Sequence, residues 1–324
     1  MTQAKTLSEA AERIRQLDDI VILTHQYPDG DTIGSAFALC FALRKMGKRA
    51  NVIVNGKRDK KFDFFTENYH DEEFAYQSVI SVDIAAPHLL GELEEEFAGK
   101  TDVSVDHHSC NTYFAKLTYV NAAAAANTEN IFELIKLLGV EFDHDIVNAI
   151  YTGICTDTGC FKFSNVTANT MRIAAELIDL GADHTEINRV MFDLKSMARI
   201  RMENAVLKSL TIHCAGKIAV INTTLAMEEE TGVSDSDMDG IASIPRQIEG
   251  VVIGITIKEK QGGVFRISIR SLGEYDASKV ASKFDGGGHK AAAGCTIKGS
   301  LDSVKQQMID AAAAELDRVD NINI

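Results

Sequence analysis

The sequence predicts an α/β first part, with a mostly parallel sheet covered by helices on both faces, and a smaller α+β second part. Three observations predict it. Short continuous apolar runs alternate with helix-period stretches over about the first 190 residues. Such runs read as strands buried on both sides, and their alternation with helices implies parallel pairing. After about residue 208 the texture changes to longer strand-like runs with few helices between them. The charge divides at the same place: residues 1–194 hold 17 Lys+Arg against 30 Asp+Glu, most of the net −14, whereas residues 258–298 hold 8 basic against 4 acidic side chains.

In order, Thr6-x-x-Glu9 is a capping-box pattern opening a helix to about Leu17. "DIVILT" reads as the first buried strand, and a helix from about Thr32 to Met46 is stopped by Gly47. "ANVIV", "SVISV" and "DVSV" give three further strands. Helical patterns follow at about Thr128–Leu138, His144–Cys155, Ala168–Leu180 and Thr185–Phe192, with Gly139 and Gly181 as stops. A mixed-charge helical stretch over 195–208 reads as a connector between domains at 1–194 and 209–324. Beyond it "GKIAVINTT", "GVVIGITIKEK" and "GVFRISIRS" read as strands, with "QGG" turning between the last two. Helices are expected at about Ala277–Phe284 and Ser303–Leu316.

Composition narrows the chemistry. The acidic first part argues against gripping long or duplex nucleic acid, which needs many phosphate contacts. It suits a site where bound cations offset the acids. The basic segment suits a small anionic ligand. No leader-like segment or long apolar run occurs, so no membrane span is expected. The six cysteines form no C-x-x-C pair, which predicts a reducing, cytoplasmic setting.

Four clusters carry the functional signal. "HQYPDGD" crowds His25, Asp29 and Asp31 into one turn. "SVDIA" places Asp83 after a strand. "VSVDHHS" places Asp106, His107 and His108 after another, and "ICTDTGCF" places Asp157 after an apolar segment. Singly, each reads more readily as a turn or a helix cap. Jointly, the carboxyl ends of neighbouring parallel strands meet in one crevice, so four strand-end clusters would converge. Histidines with several carboxylates suit Mn²⁺ or Mg²⁺ better than a thiolate zinc site. Six ligands point to two ions, the usual arrangement for phosphoester hydrolysis. In the second part, Gly286, Gly287 and Gly288 free backbone N–H groups to approach an anion, and His289 and Arg270 add charge-assisted bonds.

These residues resemble the DHH phosphoesterase family. "HQYPDGDTIGS", "VDIA", "DHH" and "TDTGCF" are similar to its four motifs, and "SIRS" with "FDGGGHKAAAG" to its associated C-terminal domain. Asp285 stands where a fourth glycine is common. The resemblance implies His25, Asp29 and Asp83 on one metal and Asp31, Asp83, His107 and Asp157 on the second, with Asp83 bridging. It implies that His108 faces the substrate phosphate and that Asp106 orients a histidine. It places Arg270, Ser271, Gly286, Gly287, Gly288 and His289 on the nucleotide, and the active site in the cleft between the domains. The expected cofactors are two divalent ions, Mn²⁺ first, with Mg²⁺ or Co²⁺ as alternatives. The expected activity is hydrolysis of short single-stranded oligonucleotides, dinucleotides and 3′-phosphoadenosine 5′-phosphate (PAP). A homodimer is compatible with the sequence. The rival readings are a cyclic or linear dinucleotide phosphodiesterase, a manganese pyrophosphatase and a non-catalytic nucleotide-binding regulator. A dinucleotide dehydrogenase lacks its G-x-G-x-x-G after the first strand.

Overall fold

The computed structural model describes residues 2–3, 6–56, 59–234, 236–238 and 240–320. The chain forms two compact units, Met1–Leu194 and Lys195–Ile324.

In the first unit, β2 (Ile20–Leu23), β3 (Ala50–Ile53), β4 (Ser78–Val82), β5 (Val103–Asp106) and β6 (Leu117–Val120) form a parallel sheet, extended by the two-residue β1 (Thr2–Gln3). The strand order is β1-β6-β5-β4-β2-β3. From β2 the chain pairs first on one side with β3 and then on the other with β4. The switch point therefore lies between β2 and β4, where open α/β sheets form their crevice.

Alternate residues of one strand serve opposite cores. Ile20 and Ile22 pack with α1 (Leu7–Arg15), α2 (Gly30–Lys45), α5 (Asn127–Leu138) and α6 (His144–Asp157). Val21 and Leu23 pack with Leu90, on the 3₁₀ segment Pro87–Leu93, and with Phe97 of α4 (Glu94–Phe97). Double-sided burial explains why these strands read as unbroken apolar runs. Thr6 caps α1, its hydroxyl accepting from Glu9 N at 3.3 Å. The remaining helices of this unit are α3 (Asp63–Thr66), α7 (Ala168–Asp179) and α8 (His184–Asn188), the last running into a π-helical turn at Arg189–Asp193. The short, half-exposed β6 escapes the sequence reading because its four residues carry no marked pattern.

The second unit is a mixed sheet of order β11-β12-β10-β9-β8-β7. Its strands are β7 (Thr211–His213), β8 (Ile218–Thr223), β9 (Ile253–Lys260), β10 (Val264–Ser271), β11 (Gly287–His289) and β12 (Ala292–Lys298). Only the β8–β9 pair is parallel. One face packs on α11 (Ala277–Ala281) and α12 (Leu301–Asp320). On part of the other face, Ile221 meets Met202 and Val206 of α9 (Met197–Lys208), and Ile241 joins them. The connector helix thus packs into this unit, beside α10 (Leu225–Thr231). The β11–β12 hairpin, built largely of Gly and Ala, is the strand pair that apolar runs do not reveal. Among the described residues no helix is long and apolar enough to cross a membrane.

Candidate metal centre

The turn after β2 runs directly into α2. Asp29 is that helix's N-cap, its Oδ1 accepting from Asp31 N at 3.0 Å and Thr32 N at 3.1 Å. His25 lies just before the turn, with Nε2 3.8 Å from Asp29 Oδ1 and 3.7 Å from Asp83 Oδ2. Asp83 follows β4 with a left-handed φ of +59°, a strained conformation for a side-chain-bearing residue. Its N–H still donates to Val105 O at 3.0 Å, so the turn is pinned to β5 while the carboxylate faces the crevice.

Asp106 ends β5 and is fully buried. Its Oδ1 accepts from His107 N and from His108 Nδ1, both at 2.8 Å, and its Oδ2 from Asn111 Nδ2 at 2.6 Å. Burial opposes its charge, but these donors hold the carboxyl below its ordinary range. His108, in turn, is raised chiefly by Asp106. His107 Nδ1–H donates to Ala124 O at 3.2 Å, leaving Nε2 toward the acids: Asp83 Oδ1 at 3.4 Å, Asp31 Oδ2 at 3.8 Å and Asp157 Oδ2 at 3.9 Å.

The placement of Asp157 corrects the expectation of four strand ends. It is the last residue of α6, a helix. What brings it to the crevice is the tight packing of α6 on α2. A Cβ on Gly34 would stand 2.3 Å from Ala149 O, and one on Gly153 would stand 2.3 Å from Thr128 Cγ2 and 2.9 Å from Asp31 Oδ1. Only glycine allows that approach.

The supporting contacts of Asn127, Thr128, Asn111 and Ala124 are missed by sequence reasoning. Ala126, the N-cap of α5, offers no side-chain acceptor. Asp31 supplies it from another helix, accepting Asn127 N at 2.5 Å, Thr128 N at 2.9 Å and Thr128 Oγ1 at 2.8 Å. The helix start "AANTEN" without a capping side chain was the available signal. Asn111, five residues after its partner Asp106, has no such signal, since no helix or strand period links the two positions.

No lysine or arginine among the described residues offsets the acids. Among the described residues, the ion-pair partners of Asp29, Asp31, Asp83, Asp106 and Asp157 are histidines alone. Burial, and then the Asp31 charge, push Asp83 well above the usual range and Asp157 up to about 7. Burial likewise raises Asp31. Burial works against a charged His107, yet Asp83 and Asp31 carry it up to about 10. Asp83 Oδ1 is buried without a hydrogen-bond partner, with two imidazole nitrogens 3.4 and 3.5 Å away. A buried, orphaned carboxylate oxygen among nitrogen and oxygen donors fits a hard divalent cation. The donor atoms group as His25–Asp29–Asp83, Asp31–His107–Asp157 and Asp83–His107–His108, without a thiol.

Residues 19–154 match the model of the DHH family, N-terminal domain, and residues 218–319 that of the DHHA1 domain. The chain is 34% identical to the bifunctional oligoribonuclease and PAP phosphatase NrnA of Thermus thermophilus over 92% of its own length and 90% of that protein. The chain belongs to the DHH family. Its identity to the bifunctional oligoribonuclease and PAP phosphatase NrnA of Bacillus subtilis is 26%, covering 90% of this chain and 93% of that one. A crystal structure of an exopolyphosphatase-related protein from Bacteroides fragilis, 24% identical, matches the fold with a TM-score of 0.84 over 95% of both chains.

In the DHHA1 part, the structure separates the expected ligand residues. His289, Ala292, Arg270 and Gly254 share one rung of the sheet, so Arg270 and the exposed His289 stand on the same face. Ser271 points the other way and is buried. Its hydroxyl donates to Lys290 O at 2.6 Å and accepts from Ala277 N at 3.3 Å. Gly286 and Gly288 are required by the hairpin itself, since a Cβ would meet Gly294 O at 2.4 Å or Ala292 O at 2.5 Å. Gly287 faces open space.

Proposed function

We propose that this chain is a metal-dependent phosphoesterase that hydrolyses short oligonucleotides and dinucleotides and removes the 3′-phosphate of PAP. The observation that carries the reading is Asp83, whose Oδ2 faces His25 and whose Oδ1 faces His107, so one carboxylate belongs to two donor groups. His25, Asp29 and Asp83 would hold one ion, and Asp31, Asp83, His107 and Asp157 the other. When bound, the ions would lower the pKa of the attacking water and stabilise charge on the phosphoryl oxygens. The nitrogen and oxygen donor set supports Mn²⁺, with Mg²⁺ or Co²⁺ as alternatives.

The protein groups divide the remaining work. Asp106 holds His108 Nδ1, which leaves Nε2 to donate to a phosphate oxygen. The Ala124 carbonyl fixes the tautomer of His107, as ligating imidazoles usually require. Arg270 and His289 would hold the part of the nucleotide remote from the scissile bond. Ser271 would act through Lys290, by fixing the end of β10. The likeness to the Thermus and Bacillus enzymes supports this substrate class over pyrophosphate.

The test is to strip the protein with EDTA, restore Mn²⁺, Mg²⁺ or Co²⁺ singly, and assay PAP, dinucleotides, a 24-mer and pyrophosphate. Metal-restored activity on PAP and dinucleotides is expected, falling for the 24-mer and absent for pyrophosphate. Nucleotide binding without turnover under any metal would replace the reading with a regulator. Turnover of pyrophosphate alone would replace it with a pyrophosphatase.

A further inference from the structure

Two aromatic rings of the first unit stand in solvent on the turns that carry the candidate metal ligands. Among the described residues three aromatic side chains are more than a third exposed: Tyr27 at 77%, Phe163 at 55% and Tyr76 at 36%. Tyr76 is accounted for by its neighbours, since its hydroxyl donates to Glu96 Oε1 at 2.7 Å and its ring lies 5.4 Å from that of Phe97. Tyr27 and Phe163 are not. Among the described residues neither pairs with another ring, and the Tyr27 hydroxyl has no hydrogen-bond partner.

Both rings are held in place by their backbones. Tyr27 lies between His25 and Asp29, and its N–H donates to His25 Nδ1 at 3.3 Å. Gln26 N donates to Leu89 O at 2.8 Å, and Pro28 disfavours helical backbone at Tyr27. Phe163 follows the turn that ends α6 after Asp157. Its N–H donates to Thr158 O at 3.0 Å, and its ring lies against Gly159, where a Cβ would stand 2.4 Å from Cζ. Asn165 Nδ2 ties the same loop to Asp157 O at 3.1 Å and to Ala125 O at 3.0 Å, next to the carbonyl that holds His107. Tyr27 thus belongs to the turn of the His25–Asp29–Asp83 group, and Phe163 to the loop of the Asp31–His107–Asp157 group. A ring left in water gives up the stabilisation of burial, while its pinned backbone spares a ligand the cost of ordering it. A nucleobase presents a flat face that stacks on such a ring without any hydrogen-bond pattern, so any base is accepted.

We propose that Tyr27 and Phe163 are stacking platforms for the two nucleobases that flank the scissile phosphate, which makes them substrate-positioning residues. The assignment rests on the nucleotide-hydrolase reading above. It goes beyond that reading in giving the bases their contacts within the metal-binding unit.

The test compares the wild-type chain with Tyr27→Ala, Tyr27→Phe, Phe163→Ala and Phe163→Tyr. With Mn²⁺, the substrates are an adenine dinucleotide and an analogue with the same linkage and abasic sugars at both positions. Each alanine variant is expected to raise KM for the dinucleotide about 5- to 150-fold, the worth of one base stack, while Tyr27→Phe and Phe163→Tyr stay near wild type. The abasic analogue has no base to lose, so its KM should stay within about twofold in every variant. Equal losses on both substrates, or a dinucleotide KM unchanged in either alanine variant, would overturn the pair of platforms. Fluorescence separates stacking from catalysis. The chain has no tryptophan, so a dinucleotide carrying 2-aminopurine at either position beside a uracil can be followed directly. A methylphosphonate linkage keeps it from being cleaved. With Mg²⁺ its emission should be quenched at saturation by wild type, and Tyr27→Ala should relieve the quenching at one position and Phe163→Ala at the other. A wild type that quenches in this way but turns over no nucleotide under any metal would refute the hydrolase reading and leave the platforms standing. Binding without quenching, or relief by both variants at the same position, would refute the two platforms.

Discussion

Asp83→Ala and Asp31→Ala remove carboxylates from the same cluster, and the structure predicts opposite effects on the metal-free protein. Asp83 Oδ1 is buried without a hydrogen-bond partner. An unsatisfied buried polar atom costs about 1–3 kcal/mol, a cost the alanine variant removes, along with repulsion from Asp31. In EDTA, Asp83→Ala should therefore unfold within about 1 kcal/mol of wild type or be more stable. Asp31 instead accepts three hydrogen bonds at the uncapped start of α5. Losing a cap costs typically about 1 kcal/mol, and stranding further buried donors adds to it, so Asp31→Ala should lose about 2–4 kcal/mol. With Mn²⁺ restored the variants should converge. Wild type should gain about 2.7 kcal/mol at a hundredfold excess over Kd for one site, and both variants should lose most of that gain together with turnover. The assay is urea unfolding with and without Mn²⁺, paired with metal content after gel filtration. If Asp83→Ala kept the full wild-type Mn²⁺ gain, or lost more than about 2 kcal/mol in EDTA, the shared-carboxylate argument would be refuted.

Metal-free stability should fall steadily as pH rises from about 4 to about 10. Asp157, raised from 3.8 to about 7, disfavours folding as it ionises, and Asp31 and Asp83 shift in the same direction. His107, raised from 6.5 to about 10, contributes stability present below 6.5 and lost as pH climbs toward 10. Unfolding midpoints in EDTA across this window check the sign, and a rise with pH would contradict it. Gly153→Ala should cost about 1–3 kcal/mol by overpacking and should lower activity by displacing Asp31 or Asp157, read from unfolding midpoints and kcat. Arg270→Ala and His289→Ala should raise KM for dinucleotides roughly 10- to 150-fold, while leaving a small artificial phosphodiester almost unaffected. Equal losses on both substrates would assign these residues to the fold instead.

Much of this protein was determined by local sequence. A continuous apolar run such as Ile20–Leu23 declares a strand covered on both sides, and Thr6 with Glu9 declares a helix start, because both depend on neighbours a few residues apart. For the same reason the turn from His25 to Asp31 and the Asp106–His108 run stand out as local clusters of imidazoles and carboxylates before any coordinates, though only their conjunction with Asp83 and Asp157 points to metal. Tertiary structure alone decided how they are assembled. Asp157 reaches the acids from the end of a helix, and the cause is the absence of side chains at Gly34 and Gly153, which carries no local signature in sequence. Asp31 caps α5 from 96 positions away, and Asn111 and Ala124 hold the motif's Asp106 and His107 through contacts that no spacing rule encodes. Ser271 sits beside Arg270 in the chain and belongs to the opposite face of the sheet, since successive strand residues point to opposite sides. Chain order records which groups are present, whereas the distances that let several carboxylates and imidazoles act on one charge are set by packing between elements remote in sequence.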